Sequence, residues 1–101
     1  MNDLSKENLK SAKHYGIACQ LDQLQEECGE LIQAVNKFRR SHGVGQETPL
    51  TPKEAHQLLV EEIVDVSIMI EQIEYLLGVT VEEHNQIYKQ KIERTKERML
   101  W

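Results

Sequence analysis

The sequence predicts an all-α protein, a helical bundle built on two long acidic helices and completed by oligomerisation. Apolar residues recur at intervals of three and four in long segments, and no segment alternates between polar and apolar residues. Residues typical of helix N-termini occur where two of the helices are predicted to begin. The chain has 101 residues, which is the size of one domain, so residues 1–101 are predicted to form a single domain.

The first helical region is expected to contain a break at Gly16. Residues 5–14 have a helix-forming composition, and glycine then interrupts the pattern. From Ile17 to about Arg40 an amphipathic helix is predicted, because its apolar residues follow the helical period: Ile17, Leu21, Leu24, Cys28, Leu31, Val35 and Phe38. Residues 41–50 contain two glycines and a proline without periodicity, which predicts a connecting loop.

The second and third helices are predicted from their capping residues. The segment Thr51–Glu54 reads as a capping box with proline at the first helical position. This helix is expected to run to Leu77 and to stop at Gly78, a residue suited to a helix C-terminus. The segment Thr80–Glu83 reads as a second capping box, and the last helix is expected to extend to about Met99.

Four carboxylates in two long helices form the candidate functional site. Asp65 is surrounded in sequence by apolar residues, and burying an unpaired carboxylate is costly. Glu62 and Asp65 are three residues apart, so both project from the same side of their helix. Glu27 and Glu30 repeat this spacing in the first long helix. Four carboxylates that converge inside a helical bundle would attract a divalent cation, since such cations prefer oxygen ligands.

Composition argues against several classes of partner and location. The formal charge is -5 and no basic cluster is present, which argues against binding to duplex nucleic acid. No stretch approaches the roughly 20 apolar residues that cross a membrane, and no signal peptide is evident at the start, so a cytoplasmic location is expected. Cys19 and Cys28 are expected to be free thiols.

Two acidic motifs resemble those of a known family. Residues 26–31, EECGEL, and residues 61–66, EEIVDV, resemble the E-E-x-x-E-L and E-E-x-x-D motifs of the MazG-like all-α nucleoside triphosphate pyrophosphohydrolases. The resemblance covers roughly residues 17–98. It implies a helical homodimer or homotetramer that requires Mg²⁺, with Mn²⁺ as a possible substitute. It also implies hydrolysis of a nucleoside triphosphate between the α and β phosphates, which yields a monophosphate and pyrophosphate.

The resemblance also implies roles for individual residues. The implied metal ligands are Glu27, Glu30, Glu62 and Asp65, and the expected contacts to the nucleotide are Lys37, Asn85 and Lys89. Glu27 or Glu30 would also act as the catalytic general base. Lys37 has a second interpretation, because a basic residue near a helix C-terminus complements the helix dipole. Both interpretations of Lys37 stay open.

Two alternative functions are compatible with the sequence. A related branch of the same superfamily hydrolyses phosphoribosyl-ATP and also carries acids on helices that bind Mg²⁺. The chain could instead be a non-catalytic helical interaction module, although its retention of all four acids argues against this alternative. No set of residues predicts which base or sugar the substrate carries.

Overall fold

The computed structural model describes residues 2–100, which form three α-helices. These helices are α1 (Asp3–Ser41), α2 (Pro52–Leu76) and α3 (Val81–Met99), so the predicted all-α class is confirmed. Met1 and Trp101, which the single-domain prediction includes, lie outside the described residues. Of the three helices, none combines the length and the apolar character needed to cross a membrane.

Gly16 divides α1 into two segments, as the sequence predicts. Its φ of 84° and ψ of 169° are not helical, and glycine adopts such a conformation more readily than any other residue. Residues 3–15 are called the arm below. The arm begins earlier than expected because Asn2 caps it: the Oδ1 atom of Asn2 accepts a hydrogen bond of 2.8 Å from the backbone N of Ser5.

The start of α2 contains the complete capping box that the sequence predicts. The backbone N of Glu54 donates to Oγ1 of Thr51 over 3.1 Å, and the backbone N of Thr51 donates to Oε1 of Glu54 over 3.0 Å. The bond that the carboxylate of Glu54 accepts from the backbone N of Thr51, together with a contribution from the Thr51 side chain, lowers the pKa of Glu54 because it stabilises the charged form. At the other end α2 stops at Leu76, and Gly78 follows with a φ of 71°.

The third helix does not pack against the other two. Thr80 accepts a hydrogen bond of 3.1 Å from the backbone N of Glu83, but the reciprocal bond of the predicted capping box is not formed in the described part of the chain. His84 Nδ1 lies 2.9 Å from Oε2 of Glu74 and ties the start of α3 to the end of α2. Beyond this junction α3 has no buried residue, and helix packing is confined to α1 and α2.

The core lies between α1 and α2, which run antiparallel. Its apolar members are small or medium-sized: Leu9, Ala12, Ala34, Ala55, Val66, Met69 and Ile73. Two amides, Gln20 and Gln72, are buried with them. The two alanines Ala34 and Ala55 let the helix backbones approach closely, since their side chains are short.

Much apolar surface stays exposed on the single chain. On α1, Ile17, Leu21 and Val35 are 37–42% exposed, so the predicted apolar stripe only partly coincides with the face that meets α2. On α2 an apolar face of five residues is 41–49% exposed: Val60, Ile63, Val64, Ile68 and Ile70. The radius of gyration is 17.0 Å, whereas a compact domain of this length has about 13 Å. The chain is therefore expanded relative to a compact domain of the same length.

Candidate metal centre

Three of the four predicted acids meet across the interface between α1 and α2. Glu27 and Glu30 lie one turn apart on α1, and Glu62 faces them from α2. One carboxylate oxygen from each of these residues lies within 4.8 Å of the corresponding oxygens of the other two. The matched spacing of the two motifs therefore does bring acids of both helices together.

Asp65 lies beside this group without joining it. It follows Glu62 by three residues on α2 and is half-buried, but among residues 2–100 the close group consists of the three glutamates. Glu27 and Glu30 have the same three-residue spacing and both belong to the group, so the spacing alone does not explain why Asp65 stands outside it. The role of Asp65 as a metal ligand stays a prediction.

Two oxygens of the acidic group lack hydrogen-bond partners. Oε1 of Glu27 accepts a hydrogen bond of 2.8 Å from Nε2 of Gln23. By contrast, Oε2 of Glu27 and Oε2 of Glu62 are buried and have no partner in the described structure. Buried polar atoms are nearly always paired, and the exceptions often mark bound ions or waters. Mg²⁺ prefers carboxylate oxygens, so this donor set fits the predicted cation.

The neighbouring acids raise the pKa of Glu30. The pKa of Glu30 lies above its ordinary value of 4.5, chiefly because of the negative charge of Glu27. Desolvation and the charge of Glu62 contribute further in the same direction. No lysine or arginine within residues 2–100 forms an ion pair with these acids. A divalent cation would supply the missing positive charge.

The predicted contacts to the nucleotide are not gathered at the acids of the same chain. Lys37 is exposed on α1, two helical turns or about 10.5 Å beyond Glu30. Asn85 and Lys89 are exposed on α3, and Lys89 Nζ lies 4.0 Å from Oε1 of Glu93. Because α3 packs on neither α1 nor α2, Asn85 and Lys89 are separated from the acids within one chain.

An open cavity lies along α1 next to the acids. Its volume is about 570 Å³, and it is lined by Tyr15, Cys19, Gln20, Asp22, Gln23 and Glu26. Gln23 connects it to the acidic group through its hydrogen bond to Glu27. A second groove of about 620 Å³, between the arm and α2, contains no member of the acidic group. The three glutamates line neither cavity, but the cavity along α1 is connected to them through Gln23.

Sequence reasoning missed a group of amides in the same helix interface. Gln20 and Gln72 are hydrogen-bonded to each other in the core, and Asn8 of the arm bonds to Gln72. One signal in the sequence indicates the helix face that they occupy, although it does not show that they are buried. Gln20 precedes Glu27 by seven residues and Gln72 follows Asp65 by seven, so each amide shares a helix face with an acid.

Comparisons of the chain with protein-family models, with curated proteins and with solved structures found no match. The proposal below therefore depends on the two acidic motifs and on the geometry of the residues that carry them.

Proposed function

We propose that the protein is a Mg²⁺-dependent nucleoside triphosphate pyrophosphohydrolase. It converts a ribo- or deoxyribonucleoside triphosphate and water to the monophosphate and pyrophosphate, as a housekeeping step for cytoplasmic nucleotide pools. The observation that carries the proposal is the group of Glu27, Glu30 and Glu62, with its two buried oxygens that lack partners. The resemblance of both acidic motifs to the MazG-like family supports the same reaction.

The acids of α1 and α2 would hold the cation. Glu27, Glu30 and Glu62 supply anionic oxygens from two helices, and Asp65 stands one turn further along α2. A Mg²⁺ ion held by these residues, or Mn²⁺ in its place, would supply positive charge against the phosphates and would lower the pKa of water. Without a cation these carboxylates would repel an anionic triphosphate.

The residues of the chain then have defined tasks in the reaction. The oxygen of a water attacks the α phosphorus, and Glu27 or Glu30 accepts the proton that this water loses. The bond between the α phosphorus and the bridging oxygen breaks, and pyrophosphate leaves with that oxygen. Lys37 and Lys89 neutralise the charge that develops on the leaving pyrophosphate. The cavity along α1 accommodates the base and sugar.

The proposal includes assembly into a homodimer or homotetramer. The apolar face of α2 is exposed in the single chain, and contiguous exposed apolar surface is typical of protein interfaces. In such an assembly α3 of one copy could bring Asn85 and Lys89 to the acids of another. Static light scattering should give at least twice the mass of one chain at micromolar concentration, and a monomer mass would contradict the assembly.

The reaction is tested with a panel of triphosphates in the presence of Mg²⁺, with pyrophosphate as the readout. The panel contains the common ribo- and deoxyribonucleoside triphosphates together with phosphoribosyl-ATP. The Glu62→Gln variant removes one acid of the group, and Glu7→Gln serves as the control because Glu7 is exposed on the arm. We expect the wild type and the control to release pyrophosphate from at least one triphosphate and Glu62→Gln to release none.

The other possible results of the pyrophosphate assay would each contradict a different part of the proposal. Release from phosphoribosyl-ATP alone would replace the proposed substrate class with that of the related branch. No release from any compound would refute the enzymatic proposal and favour an interaction module. Equal release by the wild type and Glu62→Gln would show that the acidic group does not carry the reaction.

A further inference from the structure

We infer that the buried amide pair of Gln20 and Gln72 sets the register of α1 against α2 and thereby aligns the acids of the proposed metal site. Nε2 of Gln20 donates a hydrogen bond of 2.6 Å to Oε1 of Gln72. The two residues are 7% and 3% exposed. The effect of this pair on metal binding rests on the proposed function, whereas its effect on helix register does not.

The amide pair belongs to a longer chain of hydrogen bonds that passes through Asn8 of the arm and returns to α2. Nε2 of Gln72 donates to Oδ1 of Asn8 over 2.7 Å. Nδ2 of Asn8 lies 3.1 Å from the backbone O of Ile68 and 3.0 Å from Oε1 of Glu71. Sliding α2 by one turn would break these bonds and leave buried amide groups without partners, which is costly.

The remainder of the interface between α1 and α2 is poor in directional contacts. The buried residues around the amides are apolar, and apolar packing is non-directional. Within residues 2–100 no ion pair joins the two helices. Their side-chain hydrogen bonds involve Ser5, Asn8 or Gln20 on the α1 side. Buried polar residues fix register in other helix pairs that are otherwise apolar.

The register that the amides impose is the one that aligns the acids. Glu30 lies ten residues after Gln20 on α1, and Glu62 lies ten residues before Gln72 on α2. In an antiparallel pair, contact between the two glutamines therefore places Glu30 level with Glu62. A slip of one turn displaces one helix by about 5.4 Å. That displacement would separate oxygens that now lie within 4.8 Å of one another.

The register is tested directly by spin-label distances in a double variant, Gln20→Leu with Gln72→Leu. Labels are attached at Gln33→Cys on α1 and His56→Cys on α2, both exposed positions, after Cys19→Ser and Cys28→Ser. Labelled chains are refolded with an excess of unlabelled chains so that distances within one chain dominate. The parent should give one narrow distance distribution. The double variant should give a broadened distribution or one with a different mean distance.

A control variant separates the effect of the buried pair from the effect of the change from glutamine to leucine itself. Gln25→Leu makes the same chemical change at an exposed position of α1 and should leave the distance distribution as in the parent. An unchanged distribution in the double variant would overturn the inference. A double variant that no longer folds would also overturn it, because the pair would then be needed for stability rather than for register.

Stability and metal binding give an independent readout. Replacing both amides with leucine should keep or raise the thermal stability, since the two buried amides are removed together and Asn8, which loses its bond from Gln72, is only partly buried. The apparent affinity for Mg²⁺ should nevertheless fall by about 10- to 100-fold, the effect typical of residues that orient metal ligands. Unchanged Mg²⁺ affinity would contradict the positioning role. If the wild type binds no Mg²⁺, the proposed function fails, while the distance measurement still decides the register.

Discussion

Glu27 of α1 and Glu62 of α2 face each other across the helix interface, and the Oε2 atom of each is buried without a hydrogen-bond partner. Two carboxylates in this arrangement repel each other and lack the hydrogen bonds that buried acceptors normally form. This repulsion should therefore lower the stability of the metal-free protein, and a bound cation should remove the repulsion. The predictions below follow from this relationship.

Glu62→Gln should stabilise the metal-free protein and abolish its stabilisation by Mg²⁺. Glutamine keeps the shape of the side chain but removes one of the clustered charges. In the presence of a chelator we expect a gain of about 1 kcal/mol, which corresponds to an increase of about 4–8 °C in Tm for a domain of this size. Thermal unfolding with chelator and with Mg²⁺ measures both effects. A lower Tm in chelator would refute the repulsion between Glu27 and Glu62.

Asp65→Asn should also abolish Mg²⁺-dependent pyrophosphate release while the protein stays folded. Because Asp65 lies outside the group of three glutamates, its replacement should raise the Tm in chelator less than Glu62→Gln does. Its loss should still weaken Mg²⁺ binding, since one anionic ligand is removed. The assay is pyrophosphate release beside thermal unfolding. Full activity in Asp65→Asn would exclude this residue from the metal site.

The contribution of Glu30 to the stability of the metal-free protein should fall as the pH rises. The pKa of Glu30 is raised in the folded protein from 4.5, so the folded state binds this proton more tightly than the unfolded state. Its contribution to stability is complete below pH 4.5 and is lost as the pH rises through the folded pKa. In chelator, the Tm of the wild type minus that of Glu30→Gln should therefore decrease between pH 4.5 and pH 7.

Saturating Mg²⁺ provides the control for this pH dependence. A bound cation replaces the proton as the group that neutralises the acids, so the contribution of Glu30 to stability should no longer fall with pH. Parallel Tm profiles of the wild type and Glu30→Gln in chelator would show that Glu30 does not have the raised pKa.

Gly29→Ala should stabilise the protein even though Gly29 lies between two acids of the site. A Cβ atom at Gly29 would meet no other atom within 4 Å, and alanine is favoured over glycine inside a helix by about 1 kcal/mol. Urea unfolding measures the change. As a control, Gly16→Ala should destabilise, because Gly16 has a φ of 84° that alanine adopts only with strain. Destabilisation by Gly29→Ala would indicate that a partner helix approaches Gly29.

Much of the secondary structure was predictable because it is encoded locally. The break at Gly16 and the capping box at Thr51 depend on the conformational preferences of a few neighbouring residues. The arm begins two residues before its predicted start, because the side chain of Asn2 caps it. The second predicted capping box has one of its two hydrogen bonds, because the side chain of Glu83 does not accept a hydrogen bond from the backbone N of Thr80.

The tertiary arrangement was predictable only in part, because it depends on how two helices are rotated and aligned. Spacing alone placed Glu27 and Glu30 on one face of α1 and Glu62 on a facing helix. It could not show that Asp65 stands outside the close group, since a matched spacing does not specify the rotation of α2. Gln20 resembles any polar helix residue in the sequence, and only the register of the two helices reveals that it is buried.

The most direct test of the central claim is a calorimetric titration of Mg²⁺ into chelator-treated protein, with Glu62→Gln as the comparison and Glu7→Gln as the control. The account predicts saturable binding to the wild type and to Glu7→Gln, and binding to Glu62→Gln that is at least about tenfold weaker. Absence of saturable binding to the wild type, or equal affinity in Glu62→Gln, would contradict a divalent cation site formed by the glutamates of α1 and α2.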